Sequence, residues 1–194
     1  MNKKVIIVEG CDRTGKDSLI KKLALNFNCP AILHSSAPPS GVNNAIKLFE
    51  FYNSGIIHST LDYFYDKEHD VIIHNRSMYG EFVYGPKYRS KMPSEVAEMI
   101  YKLEKGQLRT FIRSSELYFV LLTSSDVDLL VGNDDGNSIS NKREDILDEL
   151  KSFDTIFGLS TIENKKKIYV NNGSKFRSKD DIYKEVNDFI NDRV

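Results

Sequence analysis

Cysteine is scarce in this 194-residue chain, tryptophan is absent, and neither sign of charge is in excess. The two cysteines, Cys11 and Cys29, form no disulfide framework and no metal-binding spacing. The 27 Lys and Arg nearly balance 28 Asp and Glu, leaving a net charge of −1 and no basic footprint for duplex nucleic acid. No apolar run reaches the roughly 18 residues that a membrane span needs, so no membrane partner is expected. Met1-Asn2-Lys3-Lys4 runs into a strand pattern rather than a signal peptide, and a reducing, cytoplasmic setting is expected. Internal repeats and long linkers are missing too.

What remains is ordinary globular composition, 40% hydrophobic and 28% charged, at a length that supports one domain spanning residues 1–194. Its most specific segment comes first. Val5-Ile6-Ile7-Val8 runs through Glu9 into Gly10-Cys11-Asp12-Arg13-Thr14-Gly15-Lys16-Asp17-Ser18, a Gly-x4-Gly-Lys pattern between a strand and an amphipathic helix. Glycines let such a loop turn its N–H groups toward an anion, and the helix dipole points the same way. Residues Gly10 through Ser18 are therefore expected to bind the phosphates of ATP, with Lys16 reaching the outer ones.

Strand and helix patterns alternate along the chain, which points to an α/β domain with a mainly parallel sheet. Strands are expected at Lys4–Glu9, Ala31–His34, Asp70–His74, Leu117–Thr123 and Lys167–Val170. Helices are expected at Lys16–Phe27, in two pieces between Val42 and about Asp66, and from Ser94 as its cap to Gly106 as its stop. Asn141 and Glu144 resemble a capping box for a further helix, and Ser178 caps the last one. The third strand delivers Asn75 and Arg76 at its carboxyl end, where open parallel sheets bind ligands. An arginine there can clamp a phosphate with two parallel hydrogen bonds.

Glu9-Gly10-x-Asp12-Arg13-x-Gly15-Lys16 resembles the phosphate loop of thymidylate kinases. That family's next block is Asp-Arg-Tyr, then Ser, then Ala-Tyr-Gln. Here the block reads Asn75-Arg76-Ser77, Gly80, Val83-Tyr84-Gly85, with Arg76 and Tyr84 matching in identity and spacing. The resemblance covers nearly the whole chain and is strongest in the loop. It implies a P-loop three-layer sandwich with a five-stranded parallel sheet, and transfer of the terminal phosphoryl of ATP to a deoxynucleoside monophosphate, dTMP first. Magnesium is the implied cofactor, and a homodimer is common in the family. Implied roles follow residue by residue. Lys16 would hold donor phosphates. Arg13 would stabilise the transferred group, Asp12 would touch the acceptor sugar 3′-hydroxyl, and Arg76 would grip the acceptor phosphate with Tyr84 beside it. Residues 131–143 would form the lid.

Several positions depart from the family pattern. The residue after Lys16 is Asp17 rather than a hydroxyl, and the acid expected after the third strand is Asn75. The two changes can compensate, so Asp17 and Asn75 are the expected magnesium residues. The family's Arg-Glu-Pro is replaced by His34-Ser35-Ser36-Ala37-Pro38-Pro39, so thymine preference does not carry over. Phe49, Phe51, Tyr52, Tyr63, Phe64 and Tyr65 supply either a base-stacking wall or core. Lys87 and Arg89 are further cations near the crevice. Two other classes compete: a deoxynucleoside kinase, which needs a base for a 5′-hydroxyl proton where this chain has His34-Ser35, with Glu81 a base only if its loop folds inward, and a non-catalytic nucleotide-binding module.

Overall fold

The computed structural model describes residues 3–33, 54–55, 58, 68–88, 92–109, 116–134, 136, 138 and 140–192. The expected end of the second strand at His34, the Ser36–Ser40 loop, most of the helical stretch expected from Val42 to Asp66 with its six aromatics, and Arg89 lie outside the described residues.

The chain opens with β1 (Lys4–Glu9), α1 (Lys16–Phe27) and β2 (Ala31–Leu33). After β3 (Val71–Asn75) come α2 (Tyr79–Tyr88) and α3 (Pro93–Leu103), the latter running on into a wide helical turn over Glu104–Leu108. β4 (Leu117–Thr123), α4 (Val127–Val131), α5 (Arg143–Leu159) and β5 (Asn164–Tyr169) follow. A short hairpin, β6 (Asn171–Asn172) and β7 (Lys175–Phe176), and α6 (Lys179–Asn191) complete the described chain.

Five strands make one parallel sheet in the order β2-β3-β1-β4-β5. The chain folds this way because β1, β3 and β4 are continuous apolar runs, suited to burial on both faces. Their two-residue period divides them cleanly. Val5, Ile7, Ile72, Phe119 and Leu121 face one side, under Phe82, Val83, Ile100, Leu150 and Phe153 of α2, α3 and α5. Ile6, Val8, Ile73, Val120 and Leu122 face the other, under Leu19 and Leu23 of α1 and Val186 and Ile190 of α6. Three layers result, with two cores separated by the sheet.

Strand order reverses at β1, which has β3 on one side and β4 on the other. The crevice beyond the carboxyl ends of these strands is where such sheets take ligands. No described helix is long and apolar enough to cross a membrane.

Local expectations needed correction in five places. The third strand is shifted by one residue, to Val71–Asn75, so Asn75 ends the strand rather than following it. β5 begins at Asn164, because its lysines lie along the strand on partly buried positions. Ser94 is not a cap: Met92 is extended ahead of Pro93, which starts α3 with its fixed φ and missing N–H. Gly106 does not stop that helix, which widens around it. Lys142, not Asn141, precedes the first turn of α5, with no side-chain cap. Ser178 does cap α6, its hydroxyl accepting the Asp181 N–H at 3.0 Å.

Candidate active site

Gly10 leaves β1 with φ +145° and lies against the Leu122 carbonyl of β4; an added Cβ there would stand 2.3 Å from that oxygen. The loop needs a residue with no side chain at this point to pass so close to the neighbouring strand. Arg13 and Gly15 also take positive φ, +69° and +83°, and Gly15 opens α1. Thr14 braces the turn by donating its hydroxyl to the Cys11 carbonyl at 2.7 Å.

Lys16 curls back over the loop and donates to the carbonyls of Gly10 at 2.7 Å and Cys11 at 2.6 Å. Its amine is buried, and burial together with nearby Arg76 pulls its pKa down to about 8, against the opposing pull of Asp12, Cys11 and Glu9. The Cys11 thiol is pushed well up, first by burial and then by Glu149, so it fills space rather than acting as a nucleophile.

Arg76 follows β3, and its N–H donates to the Val8 carbonyl of β1 at 3.1 Å. That bond, with φ +69° at Arg76, turns its side chain beside the phosphate loop. The guanidinium donates to the Asp12 carboxylate, and its carbon lies 5.9 Å from the centre of the Tyr84 ring. Burial works against its charge, but Tyr84, Asp12 and Glu9 more than offset this and hold the group firmly cationic. Asp12 also lies 4.0 Å from the Lys16 amine. The sheet thus brings Asp12, Lys16, Arg76 and Tyr84 together.

Asn75 and Asp17 meet as well. The Asn75 amide donates to Asp17 Oδ1 at 2.8 Å, while the buried Asn75 Oδ1 has no hydrogen-bond partner among the described residues. An orphaned carbonyl oxygen beside a carboxylate is a fitting pair of hard oxygen donors for magnesium. No group of three or more His, Cys, Asp or Glu residues that could hold a metal occurs among the described residues.

Arg13 is placed differently from its expected role. Its guanidinium donates to Ser138 Oγ at 2.9 Å and to the carbonyls of Leu130 at 3.3 Å and Ser140 at 2.9 Å. It also pairs with Asp134 at 2.8 Å, and its side chain is 2% exposed. In this state it ties the phosphate loop to the lid segment. The expected lid, residues 131–143, starts at the last residue of α4 and ends at the first of α5.

Other groups around the crevice were missed or left open by the sequence. Glu9 is wholly buried at the end of β1, with Oε1 accepting the Ser77 hydroxyl at 2.7 Å. Burial raises its pKa, against Ser77, Arg76 and Lys16. A charged residue ending a fully apolar strand was the available signal. Ser140 joins Tyr88 of α2 to Glu149 of α5. Lys87 pairs with Asp145 at 2.8 Å and lies 3.8 Å from Glu149, so it joins α2 to α5. Glu81 is buried on α2, with its carboxylate packed against Gly85.

No protein-family model matches the sequence, and no curated protein matches it. Solved structures do. The YorR protein from Bacillus subtilis, in complex with phosphorylated GDP, superposes with a TM-score of 0.65 at 21% identity, over 94% of this chain and 93% of that one. Thymidylate kinase from Candida albicans gives 0.61 at 13% identity, over 97% and 91%. Polyphosphate kinase 2 from Arthrobacter aurescens gives 0.56 at 10% identity, over 97% of this chain and 66% of that one. The chain therefore has the thymidylate kinase-like P-loop fold, and that fold also carries other kinases.

Proposed function

We propose that this protein transfers the terminal phosphoryl group of ATP to a nucleoside monophosphate, with deoxynucleotides and dTMP first among the acceptors. The observation that carries the reading is the meeting of Lys16 and Arg76 around Asp12 at the point where strand order reverses. A loop that holds one phosphate chain and an arginine aimed from the next strand provide for two anionic substrates in one crevice. Phosphoryl transfer needs positioning and charge neutralisation rather than a covalent intermediate.

The roles in this reading are those the resemblance implies, assigned to the side chains gathered at the crevice. Loop N–H groups and Lys16 bind the donor phosphates, Lys16 leaving the Gly10 and Cys11 carbonyls to do so. Arg76, flanked by Tyr84, binds the acceptor phosphate. Arg13 adds positive charge at the transferred group once it leaves its lid partners. A cation at that centre contributes on the order of 10³–10⁵ in rate in related chemistry. Asp17 and Asn75 would hold magnesium, directly or through water. A magnesium ion held there would supply positive charge to neutralise the donor phosphates.

The phosphorylated GDP in the Bacillus subtilis neighbour places guanine nucleotides on the acceptor panel beside the deoxynucleotides. The test is steady-state ADP formation from Mg-ATP with dTMP, dUMP, dCMP, dAMP, dGMP, GMP and the matching nucleosides. Turnover with a monophosphate, lost in Arg76→Ala and Arg13→Ala, is expected. Turnover with nucleosides alone would replace this reading by a nucleoside kinase and direct attention to Glu81. ATP binding without turnover on any acceptor would leave a binding module.

A further inference from the structure

We propose that Glu9 and Ser77 are positioning residues for Arg76: their buried hydrogen bond holds the left-handed backbone that aims the guanidinium, so that acceptor affinity depends on them through Arg76. This rests on the reading of Arg76 as the acceptor phosphate clamp.

Arg76 sits at φ +69°, a region that residues with a side chain rarely adopt. Among the described non-glycine residues, Arg13 and Asn28 share it. Asn28 caps the end of α1, where the left-handed form is usual, and its short polar side chain suits it. Arg76 ends no helix and has no such side chain. A backbone of this kind persists only where its surroundings over-determine it, and functional sites are where such residues gather. Here the surroundings are β1. The Arg76 N–H donates to the Val8 carbonyl at 3.1 Å, and the next residue, Ser77, donates its hydroxyl to Glu9 Oε1 at 2.7 Å. Two successive residues of β1 thus grip the two residues that follow β3.

Glu9 has no other evident use. It is fully buried at the end of an apolar strand, and a buried carboxyl is costly unless it is hydrogen-bonded. Its Oε2 has no hydrogen-bond partner among the described residues, so the contact with Ser77, itself buried, is what the carboxyl secures. The first turn of α2 passes over it: a Cβ added at Gly80 would stand 3.9 Å from both Glu9 oxygens and 3.8 Å from Tyr84 Cδ2. The Ser77 carbonyl accepts the Gly80 N–H at 3.2 Å. Ser77 therefore fixes the turn between Arg76 and the helix that carries Tyr84 to its side.

The Arg76 side chain is then held at both ends, at its tip by Asp12 and at its base by β1. Without the Ser77 hydroxyl, the backbone at Arg76 can relax toward negative φ, and that rotation carries the whole side chain with it. A guanidinium fork grips phosphate by direction as well as by charge. A misplacement of about 1 Å can cost on the order of 10²-fold. The donor side keeps its own supports, the Thr14 bond to the Cys11 carbonyl and the packing of Gly10 on Leu122. The effect therefore falls on the acceptor phosphate and not on ATP.

The experiment titrates inorganic phosphate into protein saturated with Mg-AMP-PNP, read by phosphorus NMR, and measures Mg-AMP-PNP binding itself by calorimetry. Wild type is compared with Ser77→Ala, Arg76→Gln and the Ser77→Ala/Arg76→Gln pair, each checked for cooperative melting. Ser77→Cys, with a weak thiol donor, takes the place of Ser77→Ala if that variant does not fold. Ser77→Ala is expected to weaken phosphate about tenfold, a change of about 1.4 kcal/mol, and to leave Mg-AMP-PNP binding as in wild type. In the Arg76→Gln background the same substitution is expected to change nothing further. Wild-type phosphate affinity in Ser77→Ala, an equal loss without Arg76, or a parallel loss of Mg-AMP-PNP binding would overturn the inference. If Arg76→Gln alone binds phosphate as wild type does, the clamp reading fails instead. The brace is then read from exchange of the Arg76 amide, which Ser77→Ala should speed; unchanged exchange would overturn it.

Discussion

Replacing Gly10 with alanine adds one methyl group at the tightest point of the loop. The new Cβ would lie 2.3 Å from the Leu122 carbonyl oxygen and 3.2 Å from Thr14 Oγ1. The first contact is with backbone of a central strand, which cannot turn aside. Two penalties add. Overpacking costs about 1–3 kcal/mol, and holding a residue with a side chain at φ +145° costs about 1–3 kcal/mol more. The sum is roughly 2–6 kcal/mol. Gly15 is the internal control. Its φ is +83°, yet a Cβ there would meet nothing within 4 Å. Gly15→Ala therefore carries backbone strain alone, about 1–2 kcal/mol. A domain of this size loses about 2–4 °C in Tm per kcal/mol. Thermal unfolding should thus fall by roughly 4–24 °C for Gly10→Ala and roughly 2–8 °C for Gly15→Ala. Urea unfolding at 25 °C provides the matching free energies. Gly10→Ala should also weaken ATP binding, because a shift of the loop away from Leu122 misaligns the N–H groups that face the phosphates. A Gly10→Ala variant no less stable than Gly15→Ala would refute the close approach of loop and strand.

Lys16 predicts a pH signature. Its folded pKa of about 8 lies below the ordinary 10.5. Between these values the unfolded chain binds more protons, so the cost of burying this charge is relieved as pH rises through the window. Bound phosphate favours the charged amine again, so ATP binding at pH 9 should take up a proton, and at pH 6.5 it should not. Calorimetry in buffers of different ionisation enthalpy reads this directly; an enthalpy independent of buffer at pH 9 contradicts it. Arg13→Ala should speed amide exchange in a peptide covering Leu130–Asn141, since four partners of Arg13 lie there. Unchanged exchange would mean that the contacts do not hold the segment. Glu104 accepts from Tyr79 Oη at 2.6 Å, Ser160 Oγ at 2.7 Å and Thr161 N at 2.6 Å. Glu104→Ala should cost at least about 2 kcal/mol in urea unfolding, because buried donors lose their acceptor; a smaller loss would show that water replaces it.

The parallel sheet was legible because β1, β3 and β4 are uninterrupted apolar runs that alternate with helical patterns, as a doubly covered sheet requires. The loop was legible because glycine spacing and Lys16 are local features. Asn75 and Arg76 were placed correctly at the crevice because the strand that carries them is so clearly marked. Helix ends were less legible. Pro93 overrode Ser94, and α2 carries Gly80, Gly85 and Pro86, which weaken its helical signal. The tie between Arg13 and the lid spans 117 to 127 residues of chain and has no local signature. Neither has the burial of Glu9 against Ser77, 68 residues away. Asp17 and Asn75 were expected as magnesium residues from compensating changes at two motifs; their hydrogen bond to each other was not foreseen.

Phosphoryl transfer to a monophosphate is read by following the label from γ-³²P-labelled ATP in the presence of magnesium and each nucleoside monophosphate in turn. Label is expected in a nucleoside diphosphate, formed with at least one monophosphate and abolished by Arg76→Ala. Label only in inorganic phosphate, or only in a monophosphate made from a nucleoside, would contradict it.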